Sequence, residues 1–305
     1  MISFRFHLVS IVAVFLALAL GILVGTTVVK QGIIEDLKNR TDAAVKRADD
    51  ARKQVVDLKA DLSAAQAFEG LVLPALVDGQ LAGTRVVLIT EQDADVSALE
   101  GTRRILTDAG ATVVAEMVVT NRMGLTDDRS QADLASVLGV PNPNDPVQLD
   151  RDAAQALSAR LADGPSSSPP DLLDSLHSGG FLVIRGGAGG NKDIGGAGQV
   201  IVLLAGSSHP PTVDPGLFLA PLAGALVEAE RPVAAAESDS TVASFVPLLR
   251  SDDSLDGHMV TVDNVDEVPG RVALVLGLRD LIASPGSGGS RAPRDPDGRR
   301  PGSWA

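Results

Sequence analysis

Residues 8–29 read LVSIVAVFLALALGILVGTTVV, 22 consecutive positions without a charged side chain. As a helix rising 1.5 Å per residue, this run covers about 30 Å, the thickness of a bilayer's hydrocarbon core. Such a surface is stable only in lipid or inside a large domain, so the chain is expected to be rooted in a membrane. A cleaved secretory signal is the rival reading, because Ala17-Leu18-Ala19 satisfies a small-x-small cleavage rule. The apolar run continues for ten residues past Ala19 without a polar break, which favours an uncleaved anchor over residues 8–29. Arg5 and the amino terminus precede the span, while Lys30 and Lys38 after it are mixed with Glu35 and Asp36. That bias predicts a single-pass protein with residues 1–7 in the cytoplasm and the bulk of the chain on the far side. Gly21 and Gly25 lie about one turn apart in the span, where two backbones can approach closely, and read as a dimer face.

Directly after the span, Ile34, Leu37, Thr41, Ala44, Ala48, Ala51, Val55, Leu58, Leu62 and Ala65 are separated alternately by three and four residues. This is the period of a coiled-coil seam, and a charged exterior surrounds it without Gly or Pro. Residues 30–69 are therefore expected to form a coiled-coil stalk that pairs two copies of the chain, with Leu37, Val55, Leu58 and Leu62 as its larger seam residues. A single amphipathic helix packed on the next domain is the alternative, since Thr41 and the alanines weaken the seam.

Past Gly70, Pro74, Gly79 and Gly83 the pattern changes, and the helix is expected to end there. The short β-branched run at 84–90 reads as a buried strand, and the short apolar segments at 111–119, 181–184, 199–204, 233–236 and 259–262 read as further strands. Helical segments at 96–109, 151–161, 172–177, 217–230, 243–250 and 270–283 alternate with them. The polar stretch 121–146, with Pro141, Pro143 and Pro146, reads as a surface excursion. This order implies an α/β fold, a mostly parallel sheet with helices on both faces, over residues 80–283. Residues 284–305, rich in Gly, Pro, Arg and Asp, are expected to lack fixed structure. Only 3% of residues are aromatic, too few for the girdles of a membrane β-barrel.

Composition narrows the chemistry. The chain has no Cys, four Met and four His, which removes disulfides, thiolate metal sites and cysteine nucleophiles and leaves few soft ligands. With 39 acidic against 26 basic residues, net charge -13, it repels a phosphate backbone, so nucleic acid is not an expected partner. The Gly-rich run from Arg185 to Asp193 loosely resembles a phosphate cradle but fits neither standard spacing and precedes a strand, so it reads as a connection. Ser207, Ser208 and His209 sit at the carboxyl end of a strand, where open α/β sheets place ligands, yet no nucleophile-elbow motif is present. The carboxylates of Thr261-Val262-Asp263-Asn264-Val265-Asp266-Glu267 suit turn and helix-start chemistry better than an Mg²⁺ or Ca²⁺ site. His258 and Met259 are the one adjacent pair suited to copper, but strand neighbours point to opposite faces, so they are weak metal candidates. No cofactor is evident, and the chain is not expected to be an enzyme.

The opening MISFRFHLVSIVAVFLALALGILVGTTVV, the heptad helix, the strand TRVVLIT and the late TVDNVDEVPGRVALVLGL together resemble an actinobacterial envelope family, the copper transporter MctB family. That family also includes cell-separation proteins of the SteB type. The resemblance covers most of residues 1–283 and is sharpest in the first 30 residues and at Thr261, Val262, Asp263 and Asn264. It implies a place in the cell envelope and a role in copper efflux or homeostasis. For the cell-separation branch it implies a membrane-tethered coiled coil that works with an envelope partner to control a peptidoglycan hydrolase. Copper enters only through this resemblance, which carries no ligand set over to named residues.

Overall fold

The computed structural model describes residues 4–141, 145–166, 170–186 and 190–284. Two compact units divide the chain, Met1–Phe68 and Glu69–Ala305.

Helix α1, Phe4–Val77, supplies the first unit and its last turns enter the second. Phe6–Gly25 within it is long and apolar enough to cross a membrane. The described stalk side chains are exposed, including Leu37, Val55, Leu58 and Leu62. A supercoil is a property of two chains, so this single helix neither adds to nor subtracts from the expected stalk.

In the second unit, Pro74 does not end α1 as expected. Leu73 packs against one face of the sheet and Val77 is fully buried there, which outweighs the backbone bond a proline cannot donate. The alternation downstream is as expected, with strands β1 (Arg85–Glu91), β2 (Thr112–Val119), β3 (Leu182–Arg185), β4 (Gln199–Ala205), β5 (Val233–Glu237) and β6 (Val260–Val262). The helices are α2 (Val96–Asp108), α3 (Asp128–Leu138), α4 (Pro146–Asp163), α5 (Leu172–Ser178), α6 (Leu219–Glu228), α7 (Val246–Arg250) and α8 (Val268–Ala283). Asp95, Asp127, Asp145 and Asp171 cap the starts of α2, α3, α4 and α5 by accepting backbone N–H groups.

The stretch 121–146 is more ordered than expected. It holds a 3-10 turn at Asn121–Gly124 and then α3, whose Leu134 and Ala135 are buried. The proline-rich part follows only after Gly139 closes α3 in the left-handed conformation.

The six strands are ordered β3-β2-β1-β4-β5-β6. All neighbours are parallel except β2 and β3, where Met117 faces Ile184 across an antiparallel edge. Alternate residues of the strands feed two cores. Val86, Leu88, Val202 and Ala236 meet α2 and α8 on one face, and Val87, Ile89, Ile201 and Leu203 meet α3 to α7 on the other. This is a doubly wound sheet whose winding reverses between β1 and β4. Of the expected tail, residues 284–305, all but Ser284 lie outside the described residues.

Candidate functional site

In open α/β sheets the crevice for a ligand forms at the carboxyl ends of the strands where the winding reverses. Here that place lies between Glu91, which ends β1, and Gly206, just past β4. Glu91 is 3% exposed and its Oε1 accepts the Gly206 N–H at 3.1 Å. The Gly206 carbonyl in turn accepts the Asp95 N–H at 2.7 Å, tying the loop to the start of α2. Gly206 has φ +127°, and a Cβ there would lie 2.9 Å from the Ser238 nitrogen, so glycine is required twice over.

Burial pushes the Glu91 carboxyl up to about 7, partly offset by the Gly206 N–H and reinforced by the charges of Asp93, Asp214 and Glu237. Glu91 Oε2 and the Ser238 hydroxyl are buried with no hydrogen-bond partner among the described residues. Glu237, at the end of β5, has the same burial but different support. It accepts the Ser244 hydroxyl and the N–H groups of Phe245, at 2.8 Å, and Val246, at 3.1 Å. Burial still raises its carboxyl above the usual range, with these donors opposing.

The crevice therefore holds a carboxyl that is only partly ionised near neutral pH and that, in its protonated form, can donate one proton in a hydrogen bond. Sequence reading missed both glutamates. Their signal was a Glu closing each of two apolar strands, RVVLITE and VAAAE, which a parallel sheet brings to one edge.

Ser207, Ser208 and His209 do lie at this edge. Ser207 is buried, with its hydroxyl accepting the His209 N–H at 3.2 Å, while Ser208 Oγ meets His209 Nδ1 at 3.0 Å in an exposed position. Among the described residues no carboxylate hydrogen-bonds the imidazole, so nothing orients it as a base on serine.

The Gly-rich run lies at the opposite end of the sheet. Arg85, which opens β1, donates to the Asp193 carbonyl at 3.2 Å. Asn191 and Lys192 line a cleft of about 350 Å³ with Arg160, Ser166, Asp171 and Asp174. The Arg160 guanidinium is already committed, to Asp171 at 2.6 Å and to the carbonyls of Ile194, at 2.8 Å, and Asn191, at 3.1 Å. These bonds anchor a connection rather than present a cation to phosphate. Gly187 to Gly189 lie outside the described residues.

Thr261, Val262, Asp263 and Asn264 form the end of β6 and the turn into α8. Arg250 grips this turn, donating to Thr261 Oγ1 at 3.0 Å, the Thr261 carbonyl at 3.2 Å and Asp263 Oδ2 at 2.7 Å. Gly270 sits so close to Asn264 that a Cβ would fall 2.1 Å from its carbonyl oxygen, and one at Gly277 would fall 2.8 Å from Val260 Cγ1. The two glycines let α8 lie tight against β6.

The sequence match to the family described as "Copper transport outer membrane protein, MctB" runs over residues 1–290. The chain belongs to this family. Among its MctB relatives is the copper transporter MctB of Mycobacterium tuberculosis (strain H37Rv), 27% identical over 299 residues, covering 92% of this chain and 93% of the relative. The Mycobacterium bovis protein of the same name matches to the same extent. The Mycobacterium leprae protein is 26% identical and covers 93% of this chain and 94% of the relative. MctB membership and the apolar stretch of α1 associate the chain with a membrane.

For an MctB protein the placement of the soft ligands matters. Met117 and Met123 are fully buried and Met259 is 5% exposed, all within one core cluster. His258 is exposed in the turn before β6, so it and Met259 do not meet at one open site. His177 Nδ1 is 3.1 Å from the Leu182 carbonyl oxygen, within hydrogen-bond distance. Among the described residues no group of three or more His, Asp or Glu side chains converges as a metal site.

Proposed function

We propose that this chain is a single-pass envelope protein of copper homeostasis, with its amino end in the cytoplasm and its α/β head outside. It contributes to copper efflux as one component of a larger system rather than as the copper-binding centre. The observation that carries this reading is the family match over residues 1–290 joined to one span, Phe6–Gly25. The core positions of Met117, Met123 and Met259 support assigning copper contact elsewhere, because a thioether sealed among leucines cannot reach an ion without unpacking the core. Copper is the cargo in this reading, and no residue here is assigned to it.

Deletion in the native host, with cell-associated copper measured by mass spectrometry, tests the proposal. The deletion strain should accumulate copper and grow poorly at raised copper, and the full chain should restore both while a chain lacking residues 8–29 should not. Unchanged copper content would overturn it. A second reading, an anchored scaffold controlling a peptidoglycan hydrolase, draws support from the exposed apolar residues of α1, which suit a helical partner. The same strain separates the two, because that reading expects chains of unseparated cells at normal copper content.

A further inference from the structure

We infer that the carboxyl edge of β1, β4, β5 and β6 is a docking surface for a segment of another protein, one that carries large apolar residues beside Lys or Arg. The inference goes beyond any role in copper handling and does not depend on it.

These four strands are parallel neighbours, so the connections that leave them, 92–95, 206–218, 238–245 and 263–267, gather on one edge of the sheet. Together they carry seven Asp or Glu and no Lys or Arg. Turn chemistry explains part of this, since Asp93, Asp214 and Asp266 accept the backbone N–H groups of Thr212, Gly216 and Asp239. Such bonds shape the loops but bring in no positive charge. Arg250, on Asp263, and Arg271, on the carbonyls of Asp266 and Glu267, reach in only at the β6 end. Among the described residues neither Asp93 nor Asp214 has an ion-pair partner.

The excess charge extends to the crevice beneath. Glu91 and Ser238 are 3% and 2% exposed, and Glu91 Oε2 and the Ser238 hydroxyl find no partner among the described residues. Ser238 Oγ lies 3.0 Å from where a Cβ of Gly206 would stand, and Gly206 is the donor to Glu91 Oε1, so the two unmet groups flank one residue. The charges of Asp93 and Asp214 bear on the same Glu91. The head's own side chains thus leave this end of the sheet short of positive charge, which a cationic segment laid across it supplies.

The edge is also apolar. Six large apolar side chains beyond residue 80 are exposed among the described residues, and four of them, Val96, Leu217, Val242 and Leu248, surround the loop 206–218. The Val242 N–H donates to the Ser207 carbonyl at 2.9 Å, and Val96 follows Asp95, whose N–H bonds the Gly206 carbonyl. A Cβ at Gly216, beside Leu217, would lie 3.6 Å from Leu248 Cδ2. Apolar side chains gathered within an acidic rim fit a partner that is both apolar and basic.

The full chain in non-ionic detergent micelles is titrated with a short labelled peptide alternating leucine and lysine, and binding to empty micelles is subtracted. Control peptides replace every lysine by glutamate or every leucine by serine. The leucine-lysine peptide should bind at least about tenfold more tightly than either control, and added salt should weaken it. A chain carrying Asp214→Asn, Asp239→Asn, Val242→Ser and Leu248→Ser should lose about tenfold of that affinity. If this variant does not fold, as judged by its melting temperature, the Asp214→Asn, Asp239→Asn pair alone is read by the same criterion. A chain with Asp108→Asn and Asp163→Asn, an equal charge change where α2 and α4 end on the opposite edge, should bind as the native chain does. No binding above that of micelles, a smaller ratio to either control peptide, or equal losses in the edge and opposite-edge variants overturns the inference. So does a chain ending at residue 284 that takes the peptide when the full chain does not, because residues 285–305 are then the occupant. Mg²⁺ or Ca²⁺ that raises the melting temperature of the native chain but not of the edge variant, without peptide binding, assigns the edge to an ion and overturns it too.

Discussion

Asp150, in the second turn of α4, offers a measurable consequence of a burial that is not compensated. It is 4% exposed, its Oδ1 has no partner among the described residues, and burial alone raises its carboxyl from 3.8 to about 7. The unfolded chain ionises this group near 3.8, so between that pH and about 7 the unfolded state holds fewer protons than the folded one. Stability therefore falls as pH rises through the window and levels off above it. Integrating the linkage relation gives a loss of about 1.7 kcal/mol by pH 5 and about 4 kcal/mol by pH 8. Asp150→Asn removes the titration but buries an amide, whose cost does not change with pH. The quantity to read is thus the stability change at pH 8 minus that at pH 5, which cancels the amide and leaves about 2–3 kcal/mol in favour of the variant. For a domain of this size that is about 5–10 °C in melting temperature, accessible by calorimetry of the full chain in detergent. Equal shifts at the two pH values, or a larger gain at pH 5, would refute the claim that Asp150 is ionised at a cost.

Three other expectations follow from packing and clamps. Gly270→Ala places a methyl on the Asn264 carbonyl and should cost about 3 kcal/mol in denaturant unfolding, while Gly277→Ala, which meets only the Val260 side chain, should cost about half that. Arg250→Lys keeps the charge but loses the fork to Thr261 and Asp263, and should destabilise by about 1–2 kcal/mol with faster amide exchange at Val262 and Val265. Gly206→Ala should cost about 2 kcal/mol or more, because it combines a left-handed backbone with contact on the Ser238 nitrogen.

The sheet was legible because each strand is a short apolar run, most of them rich in Val, Ile or Leu, and the membrane stretch because 22 uncharged positions admit few readings. What escaped were features set by tertiary contact. Pro74 read as a stop, yet Val77 gains enough by burial against the sheet to carry the helix past it. The stretch 121–146 read as a loop because its prolines are conspicuous, while the Asp127 cap on Ser130 that starts α3 is a local signal easily passed over. At the candidate site, Ser207, Ser208 and His209 were found because their types suggest chemistry. Glu91 and Glu237 were not, because only the strand order β1-β4-β5 brings the ends of two distant strands to one edge. Thr261 to Asn264 stood out by family likeness, and in the structure Arg250 bonds Thr261 and Asp263 while Gly270 lies against Asn264.

The two glutamates at the sheet edge separate support from cost. Glu237 has three donors for its two oxygens, two of them the backbone N–H groups of Phe245 and Val246, so its burial is repaid by closing the start of α7. Removing it in Glu237→Ala orphans two buried donors and a hydroxyl, which should cost about 3 kcal/mol or more. Glu91 has one donor for two oxygens and a carboxyl raised from 4.5 to about 7, so at pH 8 its ionisation costs the fold about 3 kcal/mol. Glu91→Gln keeps an acceptor for Gly206 and removes that charge, and should leave stability at pH 8 unchanged or raise it by up to about 2 kcal/mol. Urea unfolding of the two variants at pH 8 decides the matter. If Glu91→Gln proves as damaging as Glu237→Ala, the Glu91 charge is compensated by a contact this geometry does not contain. If the two diverge as expected, the sheet edge carries an acid held against its own stability beside a loop fixed by Gly206, and Glu91 rather than Glu237 is the residue to vary when the head's role is tested.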